Sequence, residues 1–252
     1  MNNNHNTLDV TDVKFNPTQQ KPISTIVNQY VRGEVDDAPA YQRPDNASMD
    51  WKRELVRSIL IGFPINSIYL REILHPKYSI EIVDGGHRIR VLVDFYTNKI
   101  KTPSNCFVKL RDVEEHDISN MTYKQISDHI GESLITRIFD ERNLSVNHVE
   151  GNDISIANVF KLVNNGNDLS RQEIRQASCA MVADKIRGIS HQSIDDKGNI
   201  VPEWHRVFDV TDFKIGRWDY GHVTAQCSQY ELNIDKPNLT SDALDTLYLD
   251  DN

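Results

Sequence analysis

The chain has 252 residues, of which 38% are hydrophobic and 26% are charged, and its formal net charge is −9 at pH 7. This length allows a buried core in one large domain or two small ones. The acidic balance argues against a general binder of nucleic-acid backbones, which normally carries a basic face. No apolar run approaches the ~20 residues that span a bilayer, and the Asn-rich start lacks a signal-peptide core. We therefore expect a cytoplasmic protein without a membrane partner.

The first half of the chain alternates patterns typical of strands and helices. Residues 1–20 are polar and are expected to be loose, although residues 8–15 could pair as an edge strand. A helix is predicted over Ile23–Arg32, and a second over Trp51–Ile61 with Asp50 as its N-cap. Strands are predicted at Ser67–Leu70, Tyr78–Val83 and Asn105–Leu110. This alternation indicates a mixed α and β architecture.

Helical periodicity dominates almost throughout from about Thr122 onward. The predicted helices are Met121–Gly131, Leu134–Arg142, Ile154–Val163, a capped helix that begins at Ser170, Val201–Asp209 and Tyr220–Leu232. The chain is therefore divided into a loose segment (1–20), an α+β domain (21–115), a helical subdomain (116–235) and an acidic tail (236–252).

The sequence Asp84-Gly85-Gly86-His87-Arg88 lies where a predicted strand meets a predicted helix. Glycines at such a junction allow positive φ and close backbone approach, and the first amides of the helix favour an anion. Asp84 could hold Mg²⁺ or position an attacking water, or it could simply cap the helix. His87 and Arg88 fall in the first turn, where cations oppose the helix dipole unless they face a negative ligand. We expect phosphate handling, with Asp84, His87 and Arg88 as candidate catalytic residues; the alternative is a tight turn with solvated charges.

Further motifs stand in order on both sides of this junction. They are Tyr41-Gln42-Arg43, Trp51, Ser58-Ile59-Leu60 with Gly62 and Pro64-Ile65, then Asp84-Gly85 with Arg88, and finally Asn164 with Gly166, Leu169, Glu173 and Arg175. This ordered set resembles the domain of unknown function 262 family, the N-terminal half of GmrSD-type type IV restriction enzymes. One departure is that the family's usual Gln-Gln pair is Gly86-His87 in this chain.

The resemblance implies a ParB/sulfiredoxin-like fold for residues 21–115, a small mixed sheet with helices, in which a Gly-x-x-Arg turn holds nucleotide phosphate. A helical subdomain would follow it, giving an α+β protein. An NTP is the implied ligand or substrate, with Mg²⁺ as its expected helper. The residues expected to bind the nucleotide or its phosphates are Tyr41, Gln42, Arg43, Gly85, Gly86, Asn164, Gly166 and Arg175.

In the family this module is the sensor or motor half of a DNA restriction system, and the nuclease is a separate C-terminal His-Asn-His domain. No such histidine-rich pattern follows residue 180. We therefore expect a nucleotide-binding and NTP-hydrolysing module that contacts DNA and works with a separate nuclease or host protein. Two alternatives stay open: a non-catalytic DNA-associated or phage-type regulatory protein, and an Mg²⁺-dependent endonuclease that uses Asp84 and His87. The residues leave open whether the chain is an enzyme, which nucleotide it holds and its oligomeric state.

Overall fold

The computed structural model describes residues 10–37, 39, 47–109, 115–164, 175, 181–191, 222–227, 240 and 244. The chain forms two compact units. The first, called the sheet unit below, comprises residues 14–37 and 46–150; the second, called the C-terminal unit, comprises residues 1–13, 38–45 and 151–252.

The main sheet lies within the sheet unit and mixes parallel with antiparallel strands. Its strands are β1 (Lys14–Phe15), β2 (Gln19–Pro22), β3 (Val35–Asp36), β4 (Ile68–Glu72), β5 (Ile80–Asp84) and β8 (Asn143–Glu150). The strand order is β1-β8-β4-β5-β3, and β2 also pairs with β8. Strand β4 runs antiparallel to β5 but parallel to β8, and β3 runs parallel to β5. The expectation of an α+β fold with a mixed sheet is confirmed.

The helices of this unit supply most of the apolar surface that covers the sheet. They are α1 (Ile23–Val31), α2 (Met49–Leu60), α3 (Gly86–Tyr96), α4 (Tyr123–Ile130) and α5 (Glu132–Ile135), which continues into a π-helical turn at Thr136–Asp140. Helix α3 packs against both α1 and α2. Its residues Ile89, Leu92 and Phe95 recur at helical spacing and are fully buried. The Phe95 ring also lies edge-on to the Phe139 ring, with centroids 5.1 Å apart. Helix α3 is thereby fixed in the core.

Strand β8 is the main departure from the sequence prediction, which expected helices almost throughout from Thr122 onward. Its inward positions are Leu144, Val146 and His148, which alternate with the less buried Ser145 and Asn147, and Val149 next to His148 is buried as well. Only two of these three inward side chains are apolar, and two of the eight residues are asparagines, which are depleted in strands. The period-two signal was therefore too short to identify. The sheet unit extends to residue 150, past residue 115 where the sequence analysis had ended its first domain.

Two smaller expectations are also corrected. The N-cap of α2 is Ser48 and not Asp50: the Ser48 hydroxyl accepts a hydrogen bond from the Trp51 amide at 3.3 Å. Asp50 lies in the first turn, where its charge favours the helix dipole. Of the strand expected at Asn105–Leu110 the structure describes residues 105–109, and within them β6 (Phe107–Val108) pairs with β7 (His116–Asp117).

The C-terminal unit contains α6 (Asp153–Val163) and α7 (Met181–His191), and residues 222–227 are also helical. Helix α6 confirms the prediction for Ile154–Val163, and the Asn152 side chain caps it by accepting from the Ser155 amide at 3.0 Å. A small core joins Ala183, Ile186, Ala225 and Leu244. Of the helix expected from Ser170 the structure describes only Arg175, which is helical, and the helix expected at Val201–Asp209 lies outside the described residues. None of the helices described is long and apolar enough to cross a membrane.

Candidate functional site

The junction between β5 and α3 is held in a left-handed conformation that favours glycine. Gly85 is the N-cap of α3 and has φ +97°, in the left-handed region. A Cβ atom at this position would lie 2.6 Å from Ile68 Cγ2 and 3.1 Å from Arg88 Nη2. Gly86 is buried and begins the helix. The expectation of a positive-φ glycine at this junction is therefore confirmed for Gly85, the first of the pair.

Arg88 bridges the end of β5 and the start of β4. Its Nη2 donates to Asp84 Oδ2 at 2.7 Å and to the Ser67 carbonyl at 3.0 Å. The Arg88 and Asp84 side chains are 18% and 19% exposed, so this ion pair is poorly screened by water. The Arg88 Nε atom is buried and has no hydrogen-bond partner in the structure. An unsatisfied buried donor costs about 1–3 kcal/mol, which an incoming acceptor would recover.

The first turn of α3 brings together acidic, neutral and basic groups of the candidate site. Asp84, His87 and Arg88 are all partly buried, while Gly85 and Gly86 are fully buried. The structure thus places in one turn the three candidate catalytic residues and both glycines. We call these five residues the Asp84–Arg88 turn.

The fit of Mg²⁺ to this turn can be judged from the donor set. Among the described residues, no three His, Cys, Asp or Glu side chains converge on a metal position. Asp84 offers one carboxylate, which already accepts from Arg88. Mg²⁺ is commonly held by one or two carboxylates together with waters and substrate phosphates. Asp84 therefore fits a cation that arrives with phosphates and does not form a dedicated cage.

A second partly buried arginine, Arg90, lies two residues further along α3 and therefore on another face of the helix. Arg90 Nη1 donates to the Asp37 carbonyl at 2.8 Å and approaches Asp37 Oδ2 at 3.5 Å. The Tyr30 hydroxyl donates to the same carboxylate at 2.5 Å. Burial and the neighbouring Asp37 carboxylate raise the pKa of Tyr30 well above its usual value. Arg90 thus fixes α3 against the chain immediately before residues 38–46, a role that no spacing in the sequence reveals.

The other residues predicted to bind the nucleotide lie elsewhere in the chain. Tyr41, Gln42, Arg43 and Gly166 lie outside the described residues.

Asn164 and Arg175 belong to the C-terminal unit. Asn164 ends α6 and is buried, and its Nδ2 donates to the Phe160 carbonyl at 2.9 Å. Arg175 is 4% exposed, and its Nη1 lies 3.2 Å from His222 Nδ1. Both therefore have polar partners within their own unit.

Comparison with known proteins gives one finding. The family model described as GmrSD restriction endonuclease, N-terminal domain, matches residues 23–180, which is more than half of the chain. The matched range contains the Asp84–Arg88 turn, Asn164 and Arg175. No curated protein and no solved structure matches the chain.

Proposed function

Since the chain belongs to the family of GmrSD restriction endonuclease N-terminal domains, we propose that it binds an NTP at the Asp84–Arg88 turn and hydrolyses it as a module of a DNA restriction system. The observation that carries this proposal is the position of Arg88. Its guanidinium is fixed beside the left-handed Gly85, at the N-terminus of a helix of 11 residues.

This arrangement suits a phosphate for three physical reasons. The first amides of α3 have no partner within the helix and carry the positive end of its dipole. Gly85 and Gly86 present no side chain, so a phosphate can approach the backbone closely. A planar guanidinium can bind two phosphate oxygens at once, and Arg88 still has a buried Nε donor without a partner.

In the proposed mechanism each side chain of the turn has a separate role. Arg88 holds the phosphate, and His87 donates a hydrogen bond to it. Asp84 orients the attacking water and, through its pair with Arg88, keeps the guanidinium in place. Mg²⁺ carried by the nucleotide would neutralise charge on the phosphates.

The finer assignments rest on the order of the family motifs. Tyr41, Gln42, Arg43, Asn164, Gly166 and Arg175 are proposed as further contacts to the nucleotide or its phosphates. The ParB/sulfiredoxin-like character of the fold and the need for a separate nuclease or host protein are proposed on the same basis. DNA is the expected partner of a restriction module.

The test is phosphate release from ATP, GTP, CTP and UTP with Mg²⁺, with and without DNA. Arg88→Ala should reduce release by about a hundredfold or more, as is typical when a preorganised charge-stabilising donor is lost. Arg57→Ala is the matched control, because Arg57 is an exposed helical arginine that pairs with Glu54 at 2.6 Å. Release that persists in Arg88→Ala, or that is absent from folded wild-type protein, would contradict the hydrolase assignment.

A second candidate is a module that binds nucleotide without turning it over. It is favoured by the direct ion pair between Asp84 and Arg88, which engages the proposed water-orienting carboxylate. The Gly86-His87 departure from the usual Gln-Gln pair points the same way. This candidate predicts that calorimetry detects NTP binding to the wild type, weakened in Arg88→Ala, although no phosphate is released.

A further inference from the structure

A cleft of about 390 Å³ opens in the sheet unit, lined by residues other than those of the Asp84–Arg88 turn. Its lining includes Gly62, Phe63 and Pro64, which come after α2, and Arg137, Glu141 and Arg142, which belong to the π-helical turn and the residues after it. We call it the Arg142 cleft. Its volume lies within the range of roughly 300–1,000 Å³ that is usual for small-ligand sites.

The two arginines of this cleft lack the acidic partners that most other arginines of the unit have. Arg142 Nε donates to the Ile138 carbonyl at 3.4 Å, a bond to its own helical turn. Within the described part of the chain, neither Arg137 nor Arg142 has a carboxylate within ion-pair distance. The arginines of this unit that do pair with acids are Arg32, Arg57, Arg71, Arg88 and Arg90. One acidic residue, Glu141, also lines the cleft, but it forms no ion pair with Arg137 or Arg142 within the described part of the chain. Two guanidinium groups and one carboxylate give the cleft a net positive charge in a chain with 37 acidic and 28 basic residues, and this favours an anion there.

The Arg142 guanidinium also lies close to the backbone at Gly62. Gly62 has φ +83°, and a Cβ atom there would lie 2.8 Å from Arg142 Nη2 and 3.0 Å from both Cζ and Nη1. The three guanidinium atoms are therefore almost equally close to that point, so the planar group lies flat over the glycine. This contact leaves Nη1 and Nη2 as hydrogen-bond donors for a ligand. A π-helical turn, the feature that places Arg137 here, recurs at functional sites in proteins.

Phe63 adds an aromatic surface to the rim of the cleft. Phe63 is 66% exposed and lies three residues after Leu60, the buried end of α2. An exposed aromatic ring can stack on the base of an unstacked nucleotide. Guanidinium groups in the same cleft can donate hydrogen bonds to the phosphate of that nucleotide. A free mononucleotide would normally be enclosed on most of its surface. A platform on an open rim better suits a strand that passes over it.

We propose that the Arg142 cleft binds one unstacked nucleotide of a DNA strand, with its base on the Phe63 ring and its phosphate on Arg137 and Arg142. The choice of DNA rests on the proposed function, since a restriction module acts on DNA. The site itself stands on the cleft, its two arginines and its exposed ring. It is separate from nucleotide binding at the Asp84–Arg88 turn.

The test is fluorescence anisotropy with a labelled single-stranded DNA, measured without nucleotide over a range of salt concentrations. Phe63→Ala should weaken binding about tenfold, within the range observed when a stacking side chain is removed. Arg137→Ala and Arg142→Ala should each weaken binding, and the double variant should lower the slope of log K against log salt by about 0.7, the value for one phosphate contact on a single strand. Because no nucleotide is present, the result does not depend on whether the protein hydrolyses NTPs.

Matched controls separate this site from general surface effects. Phe15→Ala removes another exposed phenylalanine, 56% exposed on β1, and Arg32→Ala removes the same charge from an exposed pair with Glu34. Both should bind the strand as the wild type does. Phe63→Tyr, which keeps a ring of similar size, should restore binding, and thermal melting should show that each variant is folded.

A direct readout is photo-crosslinking with a strand that carries 5-iododeoxyuridine, followed by proteolysis and mass spectrometry. The adduct should map to the peptide that contains Phe63. Wild-type affinity in both Phe63→Ala and Arg142→Ala, or an adduct on another peptide, would overturn the proposal. Displacement of the strand by equal concentrations of a deoxymononucleotide would also overturn it, because the ligand would then be the free nucleotide.

Discussion

Two turns of the sheet unit are built alike and differ in what surrounds them. In each, a glycine in the left-handed region lies beneath an arginine guanidinium: Gly85 beneath Arg88, and Gly62 beneath Arg142. At Gly85 the nearest neighbour is the fully buried Ile68, and the arginine is tied to Asp84. At Gly62 the near atoms all belong to the end of the Arg142 side chain.

Arg88 and Arg142 therefore have different roles. Arg88 is part of the framework as well as of the candidate site, so changing it should affect both stability and ligand binding. Arg142 has a carbonyl bond to its own turn and no acidic partner among the described residues. Its removal should therefore cost ligand binding and little stability.

The largest expected effect is that of Gly85→Ala. A left-handed conformation costs a non-glycine residue about 1–2 kcal/mol, and crowding against Ile68 adds about 1–3 kcal/mol. We expect the free energy of unfolding to fall by about 3 kcal/mol, measured by urea denaturation. Gly33→Ala is the control, because Gly33 has φ +74° and open space around its missing Cβ. Equal losses in the two variants would show that the contact with Ile68 does not constrain the turn.

The next effect concerns the ion pair itself. A double-mutant cycle with Asp84→Ala and Arg88→Ala should give a coupling free energy of about 1–2 kcal/mol, because both side chains are mostly shielded from water. The same cycle on the exposed Glu54–Arg57 pair, which lies within α2, should give about 0.3 kcal/mol. Similar coupling in the two pairs would remove the distinction between a framework arginine and a surface one.

Gly62→Ala should cost less than Gly85→Ala, about 1 kcal/mol, because the left-handed strain remains but the Arg142 side chain can swing away. Binding of single-stranded DNA should weaken at the same time, because the new Cβ atom at residue 62 displaces the Arg142 guanidinium. In an Arg142→Ala background the glycine substitution should leave DNA binding unchanged. A loss of stability as large as that of Gly85→Ala would mean that Arg142 is as fixed as Arg88.

The smallest expected effect concerns His148, a buried basic side chain, and the pH dependence of stability. Burial, and then the positive charge of Lys21, lower the pKa of His148 below 6.5. The Lys21 ammonium can only donate, so Nε2 of His148 accepts at 2.9 Å and the imidazole is neutral in this arrangement. The nearby Glu72 acts in the opposite direction.

Because the unfolded chain then binds the proton more tightly, the contribution of His148 is fully present above about pH 6.5 and is lost as the pH falls toward the lower folded pKa. His148→Gln should flatten the dependence of unfolding free energy on pH below 6.5, and Lys21→Met should reduce it. His129→Gln controls for removal of an exposed histidine. An unchanged slope in His148→Gln would contradict the lowered pKa.

The sequence predicted the elements whose signals are local. Helix α3 and its glycine junction were recognised because apolar residues at helical spacing follow a strand that ends in two glycines. Helices α1 and α6 were predicted for the same reason. The N-cap of α2 was misplaced by two residues, because Ser48 and Asp50 are both suitable caps and only the hydrogen bond to Trp51 distinguishes them.

What the sequence did not predict depends on contacts between distant residues. Strand β8 has a histidine at an inward position, and its burial is explained by its neighbours β2 and β4 and not by its own composition. Arg142 and Gly62 come from separate elements, so their proximity could not be predicted from the sequence. The sequence around Gly62 indicated only the end of a helix. At the candidate site, the sequence identified Arg88 but not its bond to the Ser67 carbonyl, which becomes apparent only once β4 lies beside β5.

The position of β8 also determines when the Asp84–Arg88 turn can form. The turn ends β5, which pairs with β4, and β4 in turn pairs with β8. On its other edge β8 meets β2, and Lys21 and His148 are 127 residues apart in the chain. Closing so long a loop slows folding, and a chain growing from its N-terminus cannot complete the sheet until residue 150 has been made. A fragment ending at residue 115 would leave an edge of β4 unpaired and prone to association, so the smallest piece suited to expression and refolding is residues 14–150.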